Sequence, residues 1–144
     1  MQLSRNSIEF VVPGTPKGKQ RPRVTRAGHA YTPKDTVVYE NMVKLSCYNA
    51  MQDKEPLHGA VKMTIQAFFE VPKSYSKRRR EKMLKGEILH TTKPDADNLM
   101  KSIADGCNGV AYDDDKQICI MTLTKKYALE PRVEVLIEEM REPE

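Results

Sequence analysis

Cysteine is scarce in this 144-residue sequence, and long apolar runs are absent. The three cysteines, Cys47, Cys107 and Cys119, are odd in number and widely spaced, which argues against a disulfide framework and against a CxxC-type zinc site. No apolar segment approaches the ~20 residues that span a bilayer, so a membrane protein is not expected. The N-terminus lacks the apolar stretch of a signal peptide, and a cytoplasmic location is expected. A glycine-rich P-loop is also missing, which argues against an NTPase.

Charge is distributed unevenly along the chain. Residues 1–94 contain 18 basic and 8 acidic residues, a net charge of +10, whereas residues 95–144 contain 6 and 12, a net charge of −6. This pattern indicates a surface for a polyanion and a separate acidic site. Uneven surface charge without function would give the same counts. The length and the globular composition predict one domain, residues 1–144.

Hydrophobic alternation predicts four strands. They are expected at residues 8–12, 61–71, about 117–126 and about 131–139, and the second of these has the clearest period of two. Helices and strands follow one another without regular βαβ alternation. The pattern therefore predicts an α+β fold.

The first of three predicted helices is capped by Asp35 or Thr36 and runs to about Gln52. It is preceded by residues 13–33, which have almost no apolar periodicity and are predicted as a long loop. Four residues are predicted to form its apolar side: Val38, Met42, Leu45 and Met51.

The second predicted helix, residues 77–85, follows a serine cap at Ser74 or Ser76 and stops at Gly86. The third covers about residues 97–107. Its buried side is predicted from an i, i+4, i+8 spacing: Leu99, Ile103 and Cys107.

Five aspartates form two groups around this third helix. Asp95 and Asp97 lie at its beginning, and Asp113, Asp114 and Asp115 follow it. A helix and its following loop can bring two such groups together, and clustered carboxylates repel one another unless a hard cation neutralises them. Oxygen ligands favour Mg²⁺, Mn²⁺ or Ca²⁺ over zinc. The spacing excludes an EF-hand, although a helix cap and a solvated turn would explain each group singly.

Two lysines stand next to the first carboxylates. Lys101 is one helical turn after Asp97, where it forms either an i,i+4 salt bridge worth ~0.3 kcal/mol or a contact to a phosphate oxygen. Lys93 precedes the motif and could contact a phosphate in the same way.

Basic residues concentrate in two further segments. The segment 77–85 contains the triplet Arg78, Arg79 and Arg80, and a solvated helix face is an equally good interpretation of it. The loop 13–33 is predicted to contact the phosphate backbone without reading sequence. Five cations are the candidates there: Lys17, Lys19, Arg21, Arg23 and Arg26.

Taken together, these motifs resemble the RusA family of Holliday junction resolvases. Residues 93–99 read KPDADNL and are followed by Lys101, and residues 114–118 read DDKQI. The family typically shows K-P-D-x-D-N-L-x-K and, some twenty residues later, D-D-x-Q. Residues 13–23 also resemble the family's early basic loop, so the similarity spans nearly the whole chain.

The resemblance implies roles for individual residues. Asp95, Asp97 and Asp115, with the adjacent Asp114, would bind the metal, and Lys101 would match the family's essential lysine. Asp115 is placed in the motif because residues 116–118, KQI, follow it. The implied catalytic set is therefore Asp95, Asp97, Lys101 and Asp115. The implied DNA contacts are the loop cations and Lys93.

The resemblance also implies a homodimer with a mixed β-sheet and packed helices. The implied activity is an endodeoxyribonuclease that depends on Mg²⁺, for which Mn²⁺ substitutes, and that resolves four-way DNA junctions by paired nicks in recombination and repair. Members are commonly carried by phages and prophages. Three alternatives stay open: a nuclease on other branched DNA, a non-catalytic DNA-binding protein with a structural cation site, and an accessory protein that acts through protein partners.

Overall fold

A mixed four-stranded β-sheet organises residues 6–143, the part of the chain that the computed structural model describes. Along the sheet the strands are β1 (Ser7–Pro13), β6 (Arg132–Glu139), β4 (Val61–Glu70) and β5 (Ile118–Ala128). β6 pairs antiparallel with β1 and β4, and β5 pairs parallel with β4. β4 therefore separates β5 from β6, although these two strands are consecutive in sequence.

The helices lie against one face of this sheet or at its edge. They are α1 (Lys34–Met51), α2 (Lys77–Leu84) and α3 (Ala96–Cys107). α1 packs on β1 and α3, and both α2 and α3 contact β5. None of these helices is long and apolar enough to cross a membrane. The remaining elements of the described part are a small hairpin of β2 (Arg23–Val24) and β3 (Ala30–Tyr31), and a 3₁₀ turn (Asp115–Gln117).

The alternation in β4 confirms the period-two prediction. Every second side chain of this strand is buried against the helices, and Met63 and Ile65 are almost completely inaccessible. Full burial of such a side chain is worth about 1.5–3 kcal/mol. β6 presents Val133, Val135 and Ile137 to the same core. The expected α+β fold with a mixed sheet is confirmed.

The predicted apolar side of α1 is wrong. Val38, Met42 and Leu45 are 50%, 37% and 61% exposed, and only the fourth predicted residue, Met51, is buried. The helix has two apolar stripes, and contact with α3 and β1 selects the other one. The buried residues of α1 are Thr36, Tyr39, Val43, Cys47 and Met51.

The predicted cap of α1 is also wrong. α1 begins at Lys34, and its N-cap residue is Pro33, whose ring has no group that donates or accepts a hydrogen bond. Thr36 is buried, and its hydroxyl oxygen instead accepts a hydrogen bond from the backbone N–H of Gln20 at 3.2 Å. Its side chain therefore holds the preceding loop against the helix.

The other two helices agree closely with the predictions. Ser76 caps α2 by accepting a hydrogen bond from the N–H of Arg79, and Gly86, with φ +81°, follows its end. The N-cap of α3 is Asp95, so this helix begins one residue earlier than predicted. The three residues of its predicted buried side, Leu99, Ile103 and Cys107, are all buried. The predicted long loop, residues 13–33, contains the β2–β3 hairpin.

Gly106 allows α1 and α3 to cross closely. A Cβ atom at this position would lie 2.6 Å from Cβ of Val43, a distance that real Cβ atoms essentially never show. It would also lie 3.1 Å from the carbonyl oxygen of Glu40, which is a tight contact. Because Val43 is completely buried, neither helix can yield without opening the core.

We expect Gly106→Ala to destabilise the protein by about 1–3 kcal/mol, because overpacking outweighs the ~1 kcal/mol that alanine gains in helix propensity. Urea unfolding measures the difference. Asn49→Ala, on the exposed side of α1, is the control and should change stability by less than about 0.5 kcal/mol. Val43→Ala removes Cγ1, which the new Cβ would also meet at 2.6 Å, so the double variant should lose less stability than the sum of the two single losses. Strictly additive effects would show that the two residues do not collide.

Candidate active site

The first carboxylates lie at the beginning of α3. Asp95 occupies its N-cap with an extended backbone (φ −66°, ψ 149°), and its carboxylate makes no capping hydrogen bond. Asp97 lies in the first turn and Lys101 one turn later, and all three side chains are exposed. The positive end of the helix dipole favours negative charge at this position. Both carboxylates are therefore available to an external ligand.

The second group of carboxylates lies in the 3₁₀ turn after α3. Asp114 accepts a hydrogen bond from the N–H of Lys116 at 2.9 Å, and this bond lowers the pKa of its carboxyl. The pKa of Asp115 is raised, first by its hydrogen bond to Asp114, then by burial and by repulsion from Asp114 and Asp105. Asp113 lies on the other side of the turn, 3.8 Å from the ring of His58. The turn is thus a crowded acidic site.

Gln117 holds this acidic turn in place. Its side-chain oxygen accepts hydrogen bonds from the N–H groups of Asp113 (2.9 Å) and Asp114 (3.0 Å). Its side-chain amide donates to the carbonyl oxygens of Leu57 and Gly59, both at 3.0 Å. The sequence carries a signal for the first pair, because an aspartate followed three residues later by glutamine is a capping box. The link to residues 57–59 has no sequence signal.

The two groups of carboxylates are separated within one chain. Asp97 and Asp105 are eight residues apart on α3, which is about 12 Å along the helix axis. The charges that act on Asp115 are those of Asp114 and Asp105, at the far end of the helix from Asp95. Among residues 6–143 no three His, Cys, Asp or Glu side chains converge on a metal position. The predicted ligands thus lie in two separate groups, Asp95 with Asp97 and Asp114 with Asp115, which we name the first and second half-site.

The basic loop lies directly on the first half-site. Gly18 is its contact point, since a Cβ there would lie 2.9 Å from Cβ of Pro94 and 3.0 Å from Cβ of Asn98. The N–H of Lys19 donates to the carbonyl oxygen of Asn98 at 3.0 Å. The hydroxyl of Ser102 donates to the carbonyl oxygen of Lys17 at 2.9 Å. Only glycine at position 18 permits this close approach.

Lys19 has a structural environment that the sequence did not indicate. Its ammonium contacts the carboxylates of Glu40, at 3.0 Å, and Asp105. The hydrogen bond to Asp105 is the largest factor that raises the pKa of Lys19. These partners are 21 and 86 residues away in sequence, so no local pattern could reveal them. The charge of Lys19 is therefore already compensated, and its side chain ties the loop to α1 and α3.

An open cleft of about 780 Å³ joins the loop to the beginning of α3. Arg21, Arg23 and Lys93 line it together with Asp95 and Asn98, and Lys17 lies at its wall. The three first-named cations are exposed and take part in no ion pair within residues 6–143. Arg26 lies outside the cleft, in the turn of the β2–β3 hairpin. Cations and two carboxylates, Asp95 and Asp35, thus line the same solvent space.

Uncompensated cations around an exposed carboxylate suit a protein that acts on phosphodiesters. A family model described as Endodeoxyribonuclease RusA matches residues 13–138. An uncharacterized protein of Bacillus subtilis (strain 168), YqaN, is 36% identical over 138 residues, which cover 92% of this chain and 96% of YqaN. The chain belongs to the RusA endodeoxyribonuclease family. This confirms the resemblance and places the chain among nucleases that cleave DNA.

We expect Gln117→Leu to lower stability by about 1–3 kcal/mol, because it leaves the carbonyl groups of Leu57 and Gly59 and two N–H groups of the acidic turn without their partner. Chemical denaturation measures the loss. Lys116→Leu introduces the same side chain at the exposed neighbouring residue and serves as the control. Equal stabilities of the two variants would mean that Gln117 does not hold the turn.

Proposed function

We propose that this protein is a Mg²⁺-dependent endonuclease that resolves four-way DNA junctions by paired nicks. The observation that carries the proposal is the cleft in which Asp95 faces Arg21, Arg23 and Lys93. A phosphodiester can enter such a cleft with its charge compensated on one side and a metal ligand on the other. Membership of the RusA family supports the same activity.

Asp95, Asp97, Asp114 and Asp115 would hold the metal. Their oxygen donors suit Mg²⁺, with Mn²⁺ as a substitute. The pKa of Asp115 is raised first by its hydrogen bond to Asp114 and by burial, and to a lesser extent by repulsion from Asp114 and Asp105, which a cation would relieve. When bound, Mg²⁺ activates water and stabilises the charge that develops on the scissile phosphate. Lys101, exposed one turn after Asp97, would hold a phosphate oxygen and add electrostatic stabilisation.

The separation of the half-sites supports a homodimer. We propose that Asp95 and Asp97 of one copy meet Asp114 and Asp115 of a second copy, because one chain holds the two pairs at opposite ends of α3. A two-fold dimer built in this way has two equivalent sites, as paired nicks in a nearly two-fold substrate require.

The surface of α1 supports association of two copies. An apolar stripe on this helix faces solvent, with Leu45 61% and Tyr48 64% exposed. Burial of such a stripe would be favourable. Its members are Val37, Val38, Met42, Leu45 and Tyr48.

The basic loop would hold the junction arms through their phosphates. Lys17, Arg21, Arg23, Arg26 and Lys93 are the proposed contacts. The sixth predicted contact, the paired lysine at position 19, would position the loop. Recombination and repair as the process, a prophage origin and a cytoplasmic location all stay predictions.

A synthetic four-way junction and a duplex of matched sequence test the proposal. With Mg²⁺ or Mn²⁺ we expect symmetric nicks in the junction and none in the duplex, and no cleavage with chelator. Asp97→Asn should reduce cleavage at least 100-fold and leave junction binding equal or tighter, because it removes a ligand and one negative charge. Equal cleavage of flaps and forks would favour a general branched-DNA nuclease. Tight binding without cleavage would make the protein a junction binder.

Mixed dimers test the shared site. Asp97→Asn and Asp115→Asn homodimers should both be inactive. A heterodimer of the two, purified through different affinity tags, should regain single nicks at about half the wild-type rate, because one of its sites contains only wild-type ligands. The control is a heterodimer of Asp97→Asn with Asp95→Asn, in which both shared sites lack a ligand. No recovery in the first heterodimer would mean that each chain builds its site alone.

A further inference from the structure

The outward face of α2 is strongly basic. The helix buries only Met83, and its other residues face solvent wholly or in part. With 100° between successive residues, Lys77, Arg78, Lys82 and Lys85 lie on the side opposite Met83. One acidic residue, Glu81, stands among them.

No partner within the described residues compensates these charges. The four ion pairs found in residues 6–143 involve other side chains, and Glu81 lies in none of them. Arg79, one turn before Met83 and on the same side of α2, stacks on the ring of Tyr75, 4.8 Å from its centre. Like charges held on one rigid helix repel each other unless an anion lies across them. A solvated basic face would show the same charges and the same exposure. What bears on DNA binding is whether α2 lies close enough to the cleft for one DNA arm to contact both.

α2 follows the end of β4, and the basic loop of the cleft leaves the sheet at the same end, because β1 ends at Pro13 beside Arg132, which also pairs with Phe68 of β4. Beside α2 the ring of His90 stacks on the ring of Phe69, with 3.6 Å between the ring centres, and meets the ring of Tyr127 edge-on, with 5.4 Å between the centres. Tyr127 in turn lies within electrostatic range of Arg79. Asp95 follows His90 by five residues, so their Cα atoms are at most about 18 Å apart. Lys85 precedes Asp95 by ten residues, at most about 36 Å, and Arg78 lies about 11 Å farther along α2, so this part of the basic face lies within roughly 47 Å of Asp95.

We propose that α2 is a second phosphate-binding surface, distinct from the basic loop, which grips the backbone of a DNA arm away from the cut. At 3.4 Å per nucleotide along one strand, 47 Å corresponds to at most about fourteen base pairs. The loop holds DNA at the cleft, and α2 holds the same arm farther out. This inference rests on the proposed function, since it needs a DNA arm that leads away from Asp95.

The test measures junction affinity of the full-length protein as a function of salt, in Ca²⁺ so that cleavage does not interfere. Arg78→Gln with Lys82→Gln should weaken binding about tenfold at 0.1 M salt and lower the slope of log K against log salt by about 2. Lys54→Gln with Arg141→Gln removes the same charge from exposed positions outside both basic segments and should change neither quantity by a comparable amount. Thermal unfolding checks that both double variants are folded.

Neutral methylphosphonate linkages locate the contact on the DNA. In a junction with 20-base-pair arms, substitution four to fourteen base pairs from the cut should weaken wild-type binding. The same substitution should leave the α2 variant almost unaffected, because the contact is already lost. Substitution beyond 16 base pairs should affect neither protein.

The outcomes separate this inference from the proposed function. An α2 variant with wild-type affinity and slope, or additive effects of variant and substitution, would overturn the α2 surface while junction cleavage by the wild-type protein stands. A wild-type protein that does not bind the junction would overturn both.

Discussion

The ammonium of Lys19, held between Glu40 and Asp105, connects the parts of this protein that have to work together. It ties the basic loop to α1 through one carboxylate and to α3 through the other. The same Asp105 acts on the pKa of Asp115, so the anchor of the loop also belongs to the electrostatic environment of the acidic turn. A partly buried lysine between two carboxylates is better compensated than an exposed pair, because less water screens it.

Two close contacts support this arrangement. Gly106 lets α1 and α3 cross where Val43 is buried, and Gly18 lets the loop rest on Pro94 and Asn98. Both positions exclude a side chain for the same reason, which is that another element occupies the space. Arg21 and Arg23 of the cleft therefore lie on a loop whose position against α3 is fixed by a close contact.

The acidic residues of the last part of the chain, residues 95–144, serve more than one purpose. Asp95, Asp97 and the acidic turn carry part of its charge. Glu134 and Glu138 instead alternate with the buried side of β6 and lie on the sheet face away from the helices. Net charge by segment thus overstated how much of the acidic charge lies in the two predicted groups of carboxylates.

The sequence by itself determined the four strands of the main sheet, the extent of two helices, the family and the identity of the candidate residues, because alternation, caps and the spacing of KPDADNL and DDKQI are local properties. Tertiary structure alone decided which stripe of α1 is buried, since two apolar stripes compete and only contact with α3 and β1 chooses between Val38 and Val43. It also decided that Lys19 is paired and that the half-sites lie at opposite ends of α3. Those features depend on residues far apart in sequence, and a local pattern carries no information about what the rest of the chain brings alongside it.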